Sequence, residues 1–345
     1  MTTGYRFSLI AVAAGAFFAV ADSAPAAAQA CPAMRKINVG VSVSPPNVVH
    51  TTPYVAKGLG LFARRCVDAS IIQFEGGLSA TAVAAVSRGQ AISNITETAI
   101  GGGVKAKQIW GLAPRMPQHY VVAESVKTAA DLKGKRMSAA GGGVGSLNWR
   151  VGREVLKTAN LTVDDVQFVS QGTAGRLPGL VTGQIEGVAL HPEDVHLAQQ
   201  QKPGVHSLVV FAELLPHYYF NAYGASDGMI AAERATLVDT IAAMMEANRL
   251  MYSDKEKVIP HIVQATEKPR PAVEFAIAQL TRNCVWSVNT GVNRRSTEWS
   301  IDNAVANGDI EPARKPTFEQ VVDESLALEA MARNGGPASF GTCKD

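Results

Sequence analysis

Residues 138–149 read SAAGGGVGSLNW: three glycines, a spacer, a fourth glycine and a serine. Glycine lets a ligand come close to backbone N–H groups. A helix starting at Ser146 would add unsatisfied N–H groups and the positive end of its dipole. The chemistry on offer is capture of an anionic head group, with Gly143 and Ser146 as candidate contacts. Nucleotide phosphates fit poorly: the stretch lacks the Gly-Lys-Ser/Thr ending of a P-loop, and no glycine stands at the third position of a dinucleotide fingerprint. A second cluster, HPEDVH, brings together His191, Glu193, Asp194 and His196. The two histidines are five residues apart, an awkward spacing for two ligands on one helix face, so the plainer reading is a solvated loop. No metal or other cofactor is expected. No Gly-x-Ser-x-Gly elbow occurs and no serine stands out with a matching histidine and acid, so no catalytic residue is assigned.

These groups need a frame, and the hydrophobic periodicity supplies one. KINVGVSV places Ile37, Val39, Val41 and Val43 on one strand face, and Thr52-Pro53 then opens a helix running to KGLGLF. ASIIQF, the loop EGGLS and the helix ATAVAAVSRG repeat the unit; AISNI is a third strand, followed by TETAIGGG and another helix. The pattern restarts with the strand GKRMSAA, the glycine loop and the helix SLNWRVGREVLKTANL, and continues through DVQFVS, AGRLPGLVTG and EGVAL. Strands alternating with helices of about a dozen residues imply parallel pairing, because a parallel pair needs a long crossover. After HSLVVFAEL and PHYYFNAYG the chain turns mainly helical. In ATLVDTIAAMMEANRLMY, Leu237, Ile241, Met244 or Met245, Asn248 and Met251 recur at helical spacing, as a core stripe would. The helix VVDESLALEAMARNGGP is stopped by Gly335, Gly336 and Pro337. The second α/β unit is thus inserted between the first and a helical tail, with His119–Glu124 and His217–Gly224 as the crossing segments.

The N-terminus bears on compartment. Arg6, the apolar run Leu9–Ala21 and the small residues ending in Ala28-Gln29-Ala30 follow the order of a cleaved secretory signal, cut after Ala30. A lipoprotein beginning at Cys31 is the alternative, although Ala28 stands where such signals usually carry leucine. The apolar run is too short and alanine-rich for a permanent span. The remaining 315 residues suffice for two ordinary lobes. A net charge of +2 without a basic stripe gives no reason to expect nucleic acid. Cys31, Cys66, Cys284 and Cys343 show no C-x-x-C pair, so in an exported chain disulfides are the expectation. Three connectivities are possible. Cys31 and Cys66 precede the first and second strands, which as parallel neighbours would bring them to one end of a sheet. The expected pairs are therefore Cys31–Cys66 and Cys284–Cys343.

TPYVAKGLGLF, EGGLSAT, DLKGKRMSAAGGGVGS and GLVTGQIEGVAL together resemble the periplasmic solute-binding proteins of ABC importers. The branch is the NMT1/SsuA-like one, whose members bind nitrate, taurine, alkanesulfonates or thiamin-pyrimidine precursors. The resemblance spans nearly all of residues 36–310. It implies a type II periplasmic-binding-protein fold: two α/β lobes with mainly parallel sheets, a two-segment hinge and a helical C-terminal part. Lobe 1 would comprise 31–120 and 221–345, and lobe 2 121–220. It also implies a periplasmic monomer that presents a small solute to an ABC permease and ATPase complex. The cysteine-rich motif of the thiamin-precursor relatives is absent, and His191-Pro192 replaces a frequent Ser-Pro.

In open parallel sheets ligands bind beyond the carboxyl ends of the strands, so two such lobes make a cleft walled by loops. The loop ends supply the remaining candidate contacts. They are His50 and Thr51, Gly77 and Ser79, Asn94 and Thr96, Thr173 and Arg176, His191, and Tyr218 with Asn221 at the crossing. A helix dipole contributes only about 0.3–1 kcal/mol, whereas micromolar binding needs about 8 kcal/mol, so most of the affinity must come from such side chains. A secreted enzyme or sensor using the same cleft is the alternative function.

Overall fold

The computed structural model describes residues 1–4, 31–74, 80–140 and 143–344. Residues 1–4 are exposed and without regular structure; most of the expected signal segment, with the loop residues Gly77 and Ser79, lies outside the described residues. From Cys31 onward the chain is one folded unit.

The first α/β part comprises β1 (Arg35–Val41), α1 (Thr52–Gly58), β2 (Val67–Gln73), α2 (Ala80–Ser87), β3 (Ser93–Asn94), α3 (Glu97–Gly101) and β4 (Ala106–Ala113). The second comprises β5 (His119–Val122), β6 (Arg136–Ser138), α4 (Leu147–Lys157), β7 (Gln167–Val169), α5 (Arg176–Val181), β8 (Gly187–Leu190), α6 (Pro192–Gln201), β9 (His206–Val210) and α7 (Phe211–Leu214). The chain then returns through β10 (Asn221–Ser226) to α8 (Asp227–Ala232), α9 (Arg234–Ser253), α10 (Lys255–Thr266) and α11 (Arg270–Arg282). It ends in α12 (Arg294–Ala306), α13 (Phe318–Val321) and α14 (Ser325–Arg333). Among the described residues no helix is long and apolar enough to cross a membrane.

Three sheets result, with strand orders β1-β2, β3-β10-β4 and β7-β6-β8-β5-β9. The strands of the α/β units pair in parallel: β1 with β2, and β6 with β7 and β8. The expectation of mainly parallel sheets holds for these units only. The strands next to the crossings, β5 and β10, run antiparallel to both their neighbours. Each arrives from the other half of the molecule rather than from a crossover helix, so it enters its sheet from the opposite end. One helix expected from the sequence is also a strand: Ala106–Ala113 forms β4, with Ile109, Trp110, Leu112 and Ala113 buried. Pairing with β10 and stacking of Trp110 on Tyr223 at 6.2 Å override the weak local signal.

Two main hydrophobic cores follow the sheets. One packs Ile37, Val39, Ile109 and Trp110 against Leu237, Ile241, Met244, Met245 and Met251 of α9. The other gathers Tyr120, Met137, Val151, Val155 and Phe211. Phe220, on the second crossing, packs against both. Cys31 bonds Cys66 at the start of the β1–β2 pair, and Cys284 bonds Cys343. Glycine is required where β4 meets the 289–292 loop. Gly291 has φ +61° and a Cβ there would lie 2.1 Å from the Gly111 carbonyl oxygen, while the Tyr219 hydroxyl donates to the Gly291 carbonyl at 2.6 Å.

Candidate functional site

The segments expected to cross, His119–Glu124 and His217–Gly224, run largely into the strands β5 and β10, and the crossings proper are the connections 114–118 and 215–220; these and the loops facing them line a cavity of about 100 Å³. The turn at Asn47–His50 reaches it because the loop after β1 carries two prolines, Pro45 and Pro46, and the chain then makes one 3₁₀ turn, His50 N donating to the Asn47 carbonyl at 2.9 Å. Trp286 Nε1 holds that turn by donating to the Val49 carbonyl at 3.0 Å. Asn94 closes β3, and Thr96 caps α3, its hydroxyl accepting from Ala99 N at 3.3 Å. From the second lobe come Thr173 and Arg176 at the start of α5, His191 just before Pro192 of α6, and Leu147, Asn148 and Arg150 in the first turns of α4. Gln118 projects from the first crossing, Tyr218, Tyr219 and Phe220 from the second, and Asn221 from the start of β10.

Arg176 dominates the electrostatics. It is 4% exposed, and its guanidinium donates to Asn47 Oδ1 at 3.0 Å and to the Thr173 carbonyl at 3.1 Å. Burial, reinforced by this positive charge, lowers the His50 imidazole to about 3 and holds His191 well below its ordinary value. Both rings are therefore neutral at pH 7. They lie edge to face with 5.6 Å between centroids, and each stands about 6 Å from Phe220. Gln118 Nε2 meets His191 Nε2 at 3.0 Å. The lining carboxyl, Glu97, is pushed up mainly by burial, and Tyr218 is also raised, first by burial and then by Glu97. Arg150 donates to the Gly145 carbonyl at 3.0 Å and stands 3.8 Å from Asp309.

Of the sequence candidates, His50, Asn94, Thr96, Thr173, Arg176, His191, Tyr218 and Asn221 line this one cavity. Thr51, Gly143 and Ser146 do not. The Thr51 hydroxyl turns inward to the Val48 carbonyl at 2.7 Å; Ser146 Oγ caps α4 by accepting from Trp149 N at 3.3 Å; and Gly143, at φ +76°, shapes the turn. Around the glycine loop, the described residues that line the cavity are Ala140 before it and Leu147, Asn148 and Arg150 after it, while Gly141 and Gly142 lie outside the described residues. Sequence reasoning also missed Ser42, Val43, Asn47, Glu97, Gln118, Tyr219 and Phe220. The Asn following Pro45-Pro46 was a readable turn signal; Gln118 and Phe220 carried none.

HPEDVH is not the solvated loop expected from its sequence: His191, Glu193 and Asp194 are at most 5% exposed and lie where the lobes touch. Glu193 Oε1 accepts from Asn47 Nδ2 and Val48 N, both at 3.0 Å, and Asp194 pairs with Lys268 at 2.5 Å. The reason is packing, since α6 lies against α11 of the other lobe. Burial and the neighbouring Asp194 raise the Glu193 carboxyl to about 7. Between about 4.5 and 7 it is neutral in the folded chain and ionised in the unfolded one, so wild-type stability falls as pH rises through that window and levels off above it. The variant Glu193→Gln lacks this loss and should be more stable than wild type at pH 8 by on the order of 3 kcal/mol, with little difference at pH 4. Urea unfolding of both proteins from pH 4 to 8 checks this. The buried histidines act oppositely but equally in both and cancel, so parallel profiles would overturn the assignment.

A family model described as NMT1/THI5 like matches residues 47–257. A search of curated protein sequences finds no match. Among solved structures, the periplasmic aliphatic sulphonate binding protein SsuA from Escherichia coli aligns with a TM-score of 0.67 at 20% identity, covering 84% of this chain and 92% of that one. The periplasmic nitrate-binding protein NrtA from Synechocystis PCC 6803 gives 0.68 at 12% identity, covering 87% and 88%. The desulfurization enzyme DSZB gives 0.61 at 14% identity, covering 86% and 99%.

Proposed function

The chain belongs to the NMT1/THI5-like family, and on that premise we propose that it is the exported solute-binding component of an ABC-type importer. It captures a small anion between its lobes and is not an enzyme. Lobe 1 is residues 31–120 with 221–345, lobe 2 is 121–220, and the crossings act as the hinge whose closure buries the solute. The observation that carries this reading is the cavity, where buried Arg176 faces side chains from both lobes and from both crossings. The contacts are His50, Asn94, Thr96, Thr173, Arg176, His191, Tyr218 and Asn221, with Asn47, Gln118 and Asn148 added by the geometry. Export through a cleaved signal agrees with the N-terminal pattern and with two disulfides, which persist in an oxidising compartment. The closed form is what a permease and its ATPase would meet.

The test is a thermal-shift screen of the purified protein against nitrate, sulfonates, small carboxylates and aromatic acids, with calorimetry on each hit. A true ligand at a hundred times its dissociation constant should add about 2.7 kcal/mol to stability. Stabilisation by none of these anions would overturn the reading. DSZB shares the fold, so the bound compound is also recovered and weighed: unchanged ligand supports a receptor, and conversion to product would make the chain an enzyme.

A further inference from the structure

Five cavity-lining side chains carry a buried polar atom with no hydrogen-bond partner among the described residues: His50 Nδ1, His191 Nδ1, Gln118 Oε1, Asn148 Oδ1 and Asn221 Oδ1. All five residues are at most 6% exposed. They come from the turn after β1, the first crossing, α4, the loop before α6 and the start of β10, so the cavity is what they share. An unsatisfied buried polar group costs about 1–3 kcal/mol, and a set of them around one cavity describes the hydrogen bonds its occupant should make.

The set has two chemical ends. Gln118 Nε2 donates to His191 Nε2, which leaves the proton of that neutral ring on Nδ1, a donor like the Arg176 guanidinium. This end suits an oxyanion. The amide oxygens of Gln118, Asn148 and Asn221 are acceptors and require donors. Nitrate and unsubstituted alkanesulfonates only accept at neutral pH, so they would set oxygen against oxygen there. An ammonium would need an ionised carboxylate. Among the described residues the lining carboxyl is Glu97, which burial holds toward its neutral form, and Arg150 and Arg176 line the same cavity. Uncharged donors fit this end.

We propose that the solute is a small organic acid that also carries uncharged N–H donors of the amide or ureido kind, held by its anionic group at Arg176 and His191 and by its N–H groups at Gln118, Asn148 and Asn221. This rests on the anion-binding reading above and narrows its substrate class. A terminal ureido group has three N–H bonds for the three oxygens.

The experiment compares shape-matched acids on the full secreted chain by calorimetry. The probes are 3-ureidopropionate against 5-oxohexanoate, and succinamate against 4-oxopentanoate; in each pair N–H groups are replaced by carbon. Nitrate, ethanesulfonate and 4-aminobutyrate complete the panel. The donor-bearing member of each pair should bind roughly ten- to a hundred-fold tighter than its ketone, and tighter than 4-aminobutyrate, because a site that leaves buried polar groups unpaired rejects the analogue lacking them. Asn148→Ala should weaken the ureido acid about tenfold and the ketone less than threefold. Equal binding within the pairs, preference for the ketones, or tightest binding of nitrate, ethanesulfonate or 4-aminobutyrate overturns this inference while leaving the anion cleft standing. Failure of every anion here and in the wider screen overturns the anion cleft, and this inference with it. Should the variant fail to fold, the wild-type pairs decide alone.

Discussion

Replacing Arg176 by methionine is expected to weaken the tightest anionic ligand by at least about thirtyfold, or 2 kcal/mol, with the larger part in the dissociation rate. The guanidinium is 4% exposed and donates to Asn47 Oδ1, so methionine of similar length keeps the packing and removes the charge with its directed donors. Arg176→Lys should fall between the two, since it restores a charge without the planar fork. Calorimetry on wild type and both variants measures the loss. A structural role alone would not move a second readout: with the charge gone, the His50 ring should titrate higher than about 3, yet still below 6.5, because burial is the larger cause. Carbon-proton NMR of the imidazole follows this. Affinity retained within threefold in Arg176→Met would place the anion elsewhere in the cleft.

Trp286→Ala should cost about 3–5 kcal/mol of folding stability, the range for emptying a large aromatic from a closed core. Trp286 is 1% exposed; its indole donates to the Val49 carbonyl at 3.0 Å and its own carbonyl accepts from the Tyr252 hydroxyl at 2.8 Å. The indole bond ties the Asn47–His50 turn to the C-terminal helices, so the variant should also bind ligand more weakly under conditions where it is fully folded. Trp286→Phe fills most of the volume but lacks the donor. It should recover most of the stability and less of the affinity. Urea unfolding and calorimetry give the two numbers. A stability loss under 1 kcal/mol, or full affinity in folded Trp286→Ala, would separate the indole from the site.

Local patterns carried much of the architecture. The alternation in KINVGVSV, the glycine and serine before α4, the methionine stripe of α9 and the terminal glycines after α14 each specify their element through backbone geometry and one-sided burial, which need only near neighbours. The positions of Cys31 and Cys66 before two adjacent parallel strands made their pairing legible. Failures cluster where a long-range partner decided: β4 is a strand because β10 pairs with it, and HPEDVH is buried because α6 lies on α11.

The site divides along the same line. The sequence by itself determined which loop ends could reach a cleft, because residues that follow strands of an α/β unit emerge on one side whatever the rest of the chain does; His50, Asn94, Thr96, Thr173, Arg176 and His191 were found on that rule. It could not rank them. Only the tertiary structure decided that the Thr51 hydroxyl donates to its own turn and Ser146 Oγ caps α4, that Gln118 and Phe220 enter the cavity from the crossings, and that Arg176 is buried beside two neutral histidines. The physical reason is that desolvation and charge depend on what both lobes bring to one cavity, and residues separated by more than a hundred positions leave no mark of that meeting in their local sequence.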